Sequence, residues 1–431
     1  VPLAVSDVAA TVLVVLLDVA LILLVSRVFG RALRRVGQPA VVGEILAGIA
    51  LGPTLLGLLA PGVLRALFPD DVRDVLKVVA TVALVLFMFG VGRESDLRQM
   101  RRMGRRAGAI SVGSISLPAI AGVAVAMLLW PAHDLVAGER VPLAAFAAFL
   151  AVALSVTAFP VLARILDEAG LLRAPIGTLA MTVAAVTDLM AWSALAVVVA
   201  ATGDGGRSLF VTGALVAVYA AVLVGMVRPG LRVVLGLLGP GQAVVPAAVL
   251  LAGLLASAGA TEALGLHAAI GAFAFGLAVP RGSGAPGDAS PADRGAAALG
   301  AAGRLLVPVF FLTTGLTVDL TGLTGAGLAT MALLFVVATA AKFGGVAIAA
   351  RLTGSGAREA AALGTLMNAR GLTELVILEV GRSAGILDEV TFTALVGVAL
   401  LTTVLTGPLF RRLHEEPDDG PEAVPLRGVA A

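Results

Sequence analysis

The chain is built almost end to end from apolar stretches, each long enough to cross a lipid bilayer. A spanning helix needs about 20 mainly apolar residues. Thirteen such windows are predicted: 8–29, 40–59, 73–92, 107–130, 142–165, 174–201, 209–228, 244–260, 264–280, 303–318, 325–350, 358–381 and 391–411. The chain is 59% apolar and 13% charged, with a mean hydropathy of +1.03. Soluble domains are about 45–50% apolar and about 25% charged, so a soluble core does not account for this sequence. Val8–Phe29 is too long for a cleaved signal peptide and has no basic segment before it. It reads as the first span. The fold class expected is an all-α polytopic membrane protein of about 13 transmembrane helices, with the lipid bilayer as its surroundings.

Basic residues orient the spans, because cytoplasmic connections retain Lys and Arg. The connection after the first span holds Arg31, Arg34 and Arg35, and the one after the third holds Arg93, Arg98, Arg101, Arg102, Arg105 and Arg106. Further arginines on this side include Arg164, Arg173, Arg228, Arg232, Arg281, Arg294, Arg304, Arg351, Arg358, Arg411 and Arg412. The opposite connections hold Arg65, Arg73, Lys77, Arg140, Arg207 and Arg382. The expected arrangement is a multi-pass protein of a bacterial inner membrane, N-terminus outside and C-terminus cytoplasmic. Residues 1–412 are read as one membrane transport domain. Residues 413–431 are read as a short cytoplasmic tail, with no soluble regulatory domain. The Gly-, Ala-, Ser- and Pro-rich stretch Arg281–Gly303 reads as a flexible cytoplasmic loop.

Several function classes fall away. There is no Cys, hence no disulfide, thiolate metal site or thiol nucleophile. Nucleic acid is not an expected partner, since the net charge is +2, the chain has one Tyr, and no basic stripe carries interleaved aromatics. Gly381–Gly385 matches the serine-elbow pattern but follows a span, not a strand. Gly282–Gly287 matches a dinucleotide fingerprint but has no strand before it. Both are chance matches in a Gly-rich chain. The protein is expected not to be an enzyme and to need no cofactor.

The informative residues are charges inside the spans, which cost about 2.5–3.5 kcal/mol each at mid-membrane even on the lenient insertion scale. They are Asp18, Glu44, Asp188, Lys342, Arg370, Glu374 and Glu379. Asp188 lies mid-span and is too short to snorkel. A desolvated carboxylate there can hold a proton or a small cation, but not both, which is the minimum machinery for exchange. The bland alternative is an Asp that caps a helix break or pairs with an Arg. Lys342 either pairs with a carboxylate or offsets helix-end charge. Arg370 and Glu374, four apart, share a face if their helix continues, and such a pair is structural. Glu379 lies near the outer end. Asp18 has no evident partner.

Two spans carry helix-breaking sequence. Leu154-Ser-Val-Thr-Ala-Phe-Pro160 places Pro160 where a backbone donor is lost. Leu366-Met-Asn-Ala-Arg-Gly-Leu-Thr-Glu374 sets Gly371 beside Asn368 and Arg370 and predicts an unwound segment. Discontinuous helices at the midplane present dipole ends and freed carbonyls to ions.

With these residues assembled, the chain resembles the second monovalent cation:proton antiporter superfamily, and within it the Kef-like and plant-type cation/H+ exchanger branches. The resemblance rests on Gln38–Gly57 (QPAVVGEILAGIALGPTLLG), Thr157–Arg164 (TAFPVLAR), Gly265–Phe273 (GLHAAIGAF), Val307–Phe311 with Gly315, and Met367–Leu372 (MNARGL). It covers essentially every predicted span. It implies a sodium/hydrogen exchanger fold of inverted repeats with two crossed discontinuous helices, a core bundle moving against a dimerisation scaffold, and a homodimer. It implies exchange of Na+ or K+ for H+ by alternating access. Asp188 is then the carboxylate that binds proton and cation competitively. Thr187, Thr157 and Ser155 lie beside it at the site, Thr157 supplying oxygen. Lys342, Glu44, Pro160, Asn368, Arg370 and Glu374 supply the core charges and the helix break. The usual Asn-Asp, Asp-Asp or Gln-Asp pair is Thr187-Asp188 here, leaving one titratable group in the pair. The residues alone also leave open a cation channel, or a Na+-coupled carrier of an organic solute, on a similar scaffold.

Overall fold

A computed structural model describes residues 2–95, 102–136, 138–201, 209–237, 244–281, 290–321, 323 and 325–414. Arg98, Arg101, Arg207, the Gly282–Gly287 pattern and tail residues 415–431 lie outside the described residues. In chain order the helices are α1 (Pro2–Arg35), α2 (Ala40–Leu51), α3 (Pro61–Leu67), α4 (Asp70–Glu94), α5 (Gly104–His133) and α6 (Leu143–Ser155). There follow α7 (Phe159–Glu168), α8 (Pro175–Ala201), α9 (Leu209–Val222), α10 (Arg228–Gly236), α11 (Val244–Ala263) and α12 (Ala268–Ala278). The last are α13 (Pro291–Leu316), α14 (Gly325–Leu352), α15 (Ala357–Met367), α16 (Leu372–Ser383) and α17 (Glu389–His414). The described strands are a two-residue pair, β1 (Leu135–Val136) and β2 (Glu139–Arg140), antiparallel with Leu135 opposite Arg140.

Eleven helical segments are long and apolar enough to cross a membrane among the described residues. The protein is therefore a helical multi-pass membrane protein, as its composition required. The count of thirteen is not reproduced by that criterion. The predicted span 264–280 is the 11-residue helix Ala268–Ala278, and the predicted span 358–381 divides into α15 and α16. The tenth predicted span, 303–318, begins too late. α13 starts at Pro291, so half of the expected loop Arg281–Gly303 is helix. The reason is local: Ser290 accepts from the Asp293 N–H while the Asp293 carboxylate accepts from the Ser290 N–H, a reciprocal N-cap with Pro at the first position.

Packing sorts the helices into two bundles. α5, α6, α8, α14, α15 and α17 pack on one another, with α7 against α8 and α16 against α6 and α17. α1, α2, α4, α11, α12 and α13 form the other bundle. Contacts between the two run mainly through α7 on α2 and α4. Small residues permit the close crossings inside each bundle, as is usual where lipid supplies no hydrophobic drive between helices. A Cβ at Gly48 or Gly315 would run into the backbone of the facing helix across the α2–α13 contact, and Gly113 and Gly345 do the same for α5 and α14. Leu13, Leu16, Leu17 and Leu24 of α1 are all exposed, the surface expected for contact with lipid chains.

Candidate functional site

The first broken helix consists of α6 and α7. Val156 and Ala158 are extended, with φ −67°, ψ 145° and φ −73°, ψ 91°. Pro160 dictates the break, since it has no N–H for the carbonyl of Val156 and its ring would clash there in a continuous helix. Within α7 the proline is the second residue, where a missing donor is harmless.

The second broken helix consists of α15 and α16, separated by Asn368–Gly371. The two breaks touch. Ala158 N donates to Ala369 O at 3.0 Å, and Thr157 Oγ1 donates to Met367 O at 3.0 Å. Gly371 permits this approach, because a Cβ there would meet the Val161 side chain.

A helix ending inside the bilayer leaves its last four carbonyls without intrahelical donors and presents negative charge. At the end of α6 two buried basic side chains supply what is missing. Arg370 donates to Ala153 O at 3.0 Å and Leu154 O at 2.8 Å, and Lys342 Nζ donates to Ser155 O and, at 3.0 Å, to Ser114 O. Arg370 also pairs with Glu374 at 2.6 Å, and Arg370, Lys342 and Glu374 are all fully buried. The Arg370–Glu374 pair thus forms across the start of α16, and Lys342 donates to carbonyls at the α6 end. Thr403 joins the cluster by accepting from Arg370 N at 3.2 Å. No sequence pattern marks Thr403, which lies in the middle of an apolar helix.

Asp188 sits at the middle of the 27-residue helix α8, 1% exposed, with Thr187 fully buried beside it. α8 packs on α5, α6, α7 and α15, so its carboxylate-bearing helix lies against both halves of the first broken helix and the first half of the second. Three hydroxyls in this region donate to carbonyls: Thr157 to Met367, Ser155 to Ala151 at 2.6 Å and Thr187 to Ala184 at 3.1 Å. With each O–H engaged in donating, the hydroxyl oxygens keep lone pairs free, which suits a hard cation. Asn368 lies at the second break, 7% exposed, and its Oδ1 makes no hydrogen bond.

Not every intramembrane charge gathers here. Glu44 pairs with Arg164 at 3.0 Å, in contact with the other bundle, so it stands apart from Lys342, Arg370 and Glu374. Glu379 is exposed and pairs with Arg382 at 2.8 Å. Asp18 is 3% exposed, and its Oδ2 makes no hydrogen bond; we have no physical account of it. Gly381 of the serine-elbow pattern lies in helix α16 and packs on the Phe149 ring.

Residues 20–415 match the family described as sodium/hydrogen exchanger, transmembrane. The chain belongs to the sodium/hydrogen exchanger family. This exchanger-family chain is 34% identical to the Na(+)/H(+) antiporter NhaS4 of Synechocystis, over 94% of its own length and 98% of the relative's. It is 38% identical to Cation/H(+) antiporter 20 of Arabidopsis thaliana, over 93% of its length but 48% of that protein's, so it spans about half of this plant relative. Among solved structures, the sodium proton antiporter MjNhaP1 of Methanocaldococcus jannaschii has the same fold. Its TM-score is 0.66 over 93% of this exchanger chain and 96% of that one, at 11% identity.

Proposed function

We propose that the protein is a secondary antiporter that exchanges a monovalent cation, Na+ or K+, for H+ across the membrane by alternating access. The observation that carries this reading is a carboxylate, Asp188, buried mid-span on a helix packed against both halves of one discontinuous helix and the first half of another. Asp188 takes a proton or the cation in turn. Thr157, Thr187 and Ser155 contribute oxygen, and Asn368 completes the surroundings at the second break. Lys342 and Arg370 hold the α6 terminus in place, and Glu374 compensates Arg370. Relatives named as Na(+)/H(+) and cation/H(+) antiporters, and K(+)/H(+) antiporter 1 of Saccharomyces cerevisiae at 31% identity over 93% of this chain, support antiport of this ion class.

The bundle of α5, α6, α8, α14, α15 and α17 is the moving core, and the bundle of α1, α2, α4, α11, α12 and α13 is the scaffold through which two copies pair. The arginine-rich face is cytoplasmic, with the N-terminus outside.

The test uses purified protein in vesicles. An imposed pH gradient drives Na+ or K+ uphill in the wild type, which a channel does not do. Asp188→Asn abolishes the cation-dependent pH change while the protein still inserts and folds. Retained exchange in that variant overturns the proposal, and solute-dependent Na+ uptake would instead identify a carrier of organic solutes.

A further inference from the structure

Among the described residues, polar bridges between the two bundles lie at the arginine-rich face. Glu94 of α4 meets Arg173 at 3.7 Å on the surface. Two more form one buried cluster around Arg164 of α7. Its Nη2 reaches Glu44 Oε1 of α2 at 3.0 Å, and its Nε lies 2.9 Å from Glu168 Oε1. Glu168 in turn accepts from Ala40 N, the first residue of α2, at 2.6 Å, so it caps that helix from the opposite bundle. Asp167 stands 4.0 Å from the guanidinium. The side chains of Arg164, Glu44 and Glu168 are 12%, 4% and 16% exposed, which spares them most solvent screening.

The position of this cluster matters. Arg164 follows Thr157 by seven residues, or about 10 Å of helix. It therefore stands between the break and the arginine-rich face. Along the same seam a small apolar cavity between α2 and α17 is lined by Val42, Ile45, Leu46, Leu400, Thr403 and Val404. It extends from the level of Glu44 to Thr403, which holds Arg370 at the break. Pro39 and Gly407 close the seam beside the cluster.

We propose that Arg164, held between Glu44 and Glu168, is the clasp that shuts the arginine-rich face of the transport path, so that opening toward this face requires its rupture. The proposal rests on the alternating-access reading above. The clasp sits on the half-helix that begins at the break, so one displacement of α7 frees Arg164 from Glu44 and Glu168 from Ala40 N together.

The chain has no cysteine, so a single introduced thiol is a unique reporter. Val42→Cys places it in the seam, where the native side chain is 2% exposed, and Val318→Cys places a control toward the other face, 3% exposed. A membrane-impermeant maleimide is applied from the arginine-rich face for Val42→Cys and from the opposite face for the control. With Glu44→Gln and Glu168→Gln added, labelling at Val42→Cys accelerates about tenfold or more, in proportion to the population opened, and the control does not change. Equal acceleration at both positions, or none at Val42→Cys, overturns the clasp.

Should the glutamine variants fail to fold, Pro39→Cys with Gly407→Cys leaves the clasp intact and cross-links the seam beside it. Exchange then stops on oxidation and returns on reduction; full exchange by the cross-linked protein overturns the proposal. Unchanged labelling with Asp188-dependent exchange removes the clasp and leaves antiport standing. Exchange that survives Asp188→Asn removes the reading beneath the clasp, and the clasp with it.

Discussion

Removing Arg370 should be the most damaging single change in the core, and most of the damage should come from its partner. The guanidinium is fully buried and holds Glu374 at 2.6 Å, Leu154 O at 2.8 Å and Ala153 O at 3.0 Å. Breaking a buried ion pair from one side costs about 3–5 kcal/mol, because the other charge is left uncompensated. A buried carbonyl stripped of its donor costs about 1–3 kcal/mol. Two carbonyls are at stake, but Lys342 remains on Ser155 at the same helix end. Arg370→Met should therefore cost about 5–6 kcal/mol. Glu374→Leu should cost about 3 kcal/mol, since Arg370 keeps both carbonyls and the α6 dipole. The double variant should cost only about 2–3 kcal/mol, well below the sum, because neither charge is left stranded and only the two carbonyls lose their donor. Reversible unfolding in mixed micelles, run as a double-mutant cycle, measures all three values. Additivity within about 0.5 kcal/mol would refute the buried Arg370–Glu374 pair, and a cost below about 1 kcal/mol for Arg370→Met would refute its hold on the α6 terminus.

Lys342→Met strands the Ser114 and Ser155 carbonyls and should lower stability by about 2–4 kcal/mol, with Lys342→Arg recovering part of it in the same unfolding assay. Thr157→Val loses the bond to Met367 O and, on the proposed function, an oxygen ligand, so the cation KM in vesicles should rise several-fold, with Thr157→Ser close to wild type; an unchanged KM in Thr157→Val excludes this hydroxyl from the site. If proton and cation compete for Asp188, the cation KM should rise about tenfold per unit fall in pH on the acid limb while Vmax stays constant; a fall in Vmax at constant KM contradicts competition. Gly315→Val forces a side chain into the backbone of α2 and should destabilise by about 1–3 kcal/mol or more, read as loss of folded protein in membranes.

Much of the fold is legible in the chain because a bilayer tolerates few solutions. Apolar runs must be helices, and each charge inside them must have a reason. That logic singled out Asp188, Lys342, Arg370 and Glu374 without a single contact. Pro160 and the Asn368–Gly371 segment marked the two breaks for similarly local reasons. The start of α13 was just as local, written in Ser290-Pro-Ala-Asp293, and was missed because the surrounding Gly and Ala read as loop.

Tertiary structure alone decided who meets whom. Lys342 faces the carbonyls of Ser114 and Ser155, groups that every residue carries and that no sequence distinguishes. Glu44 finds Arg164 across 120 positions, and Ala40 N finds Glu168 across 128, because two separately packed bundles bring α2 and α7 side by side. Residue type fixes what a side chain needs inside a membrane. Which distant group answers that need depends on how the helices stack, and that is a property of shape.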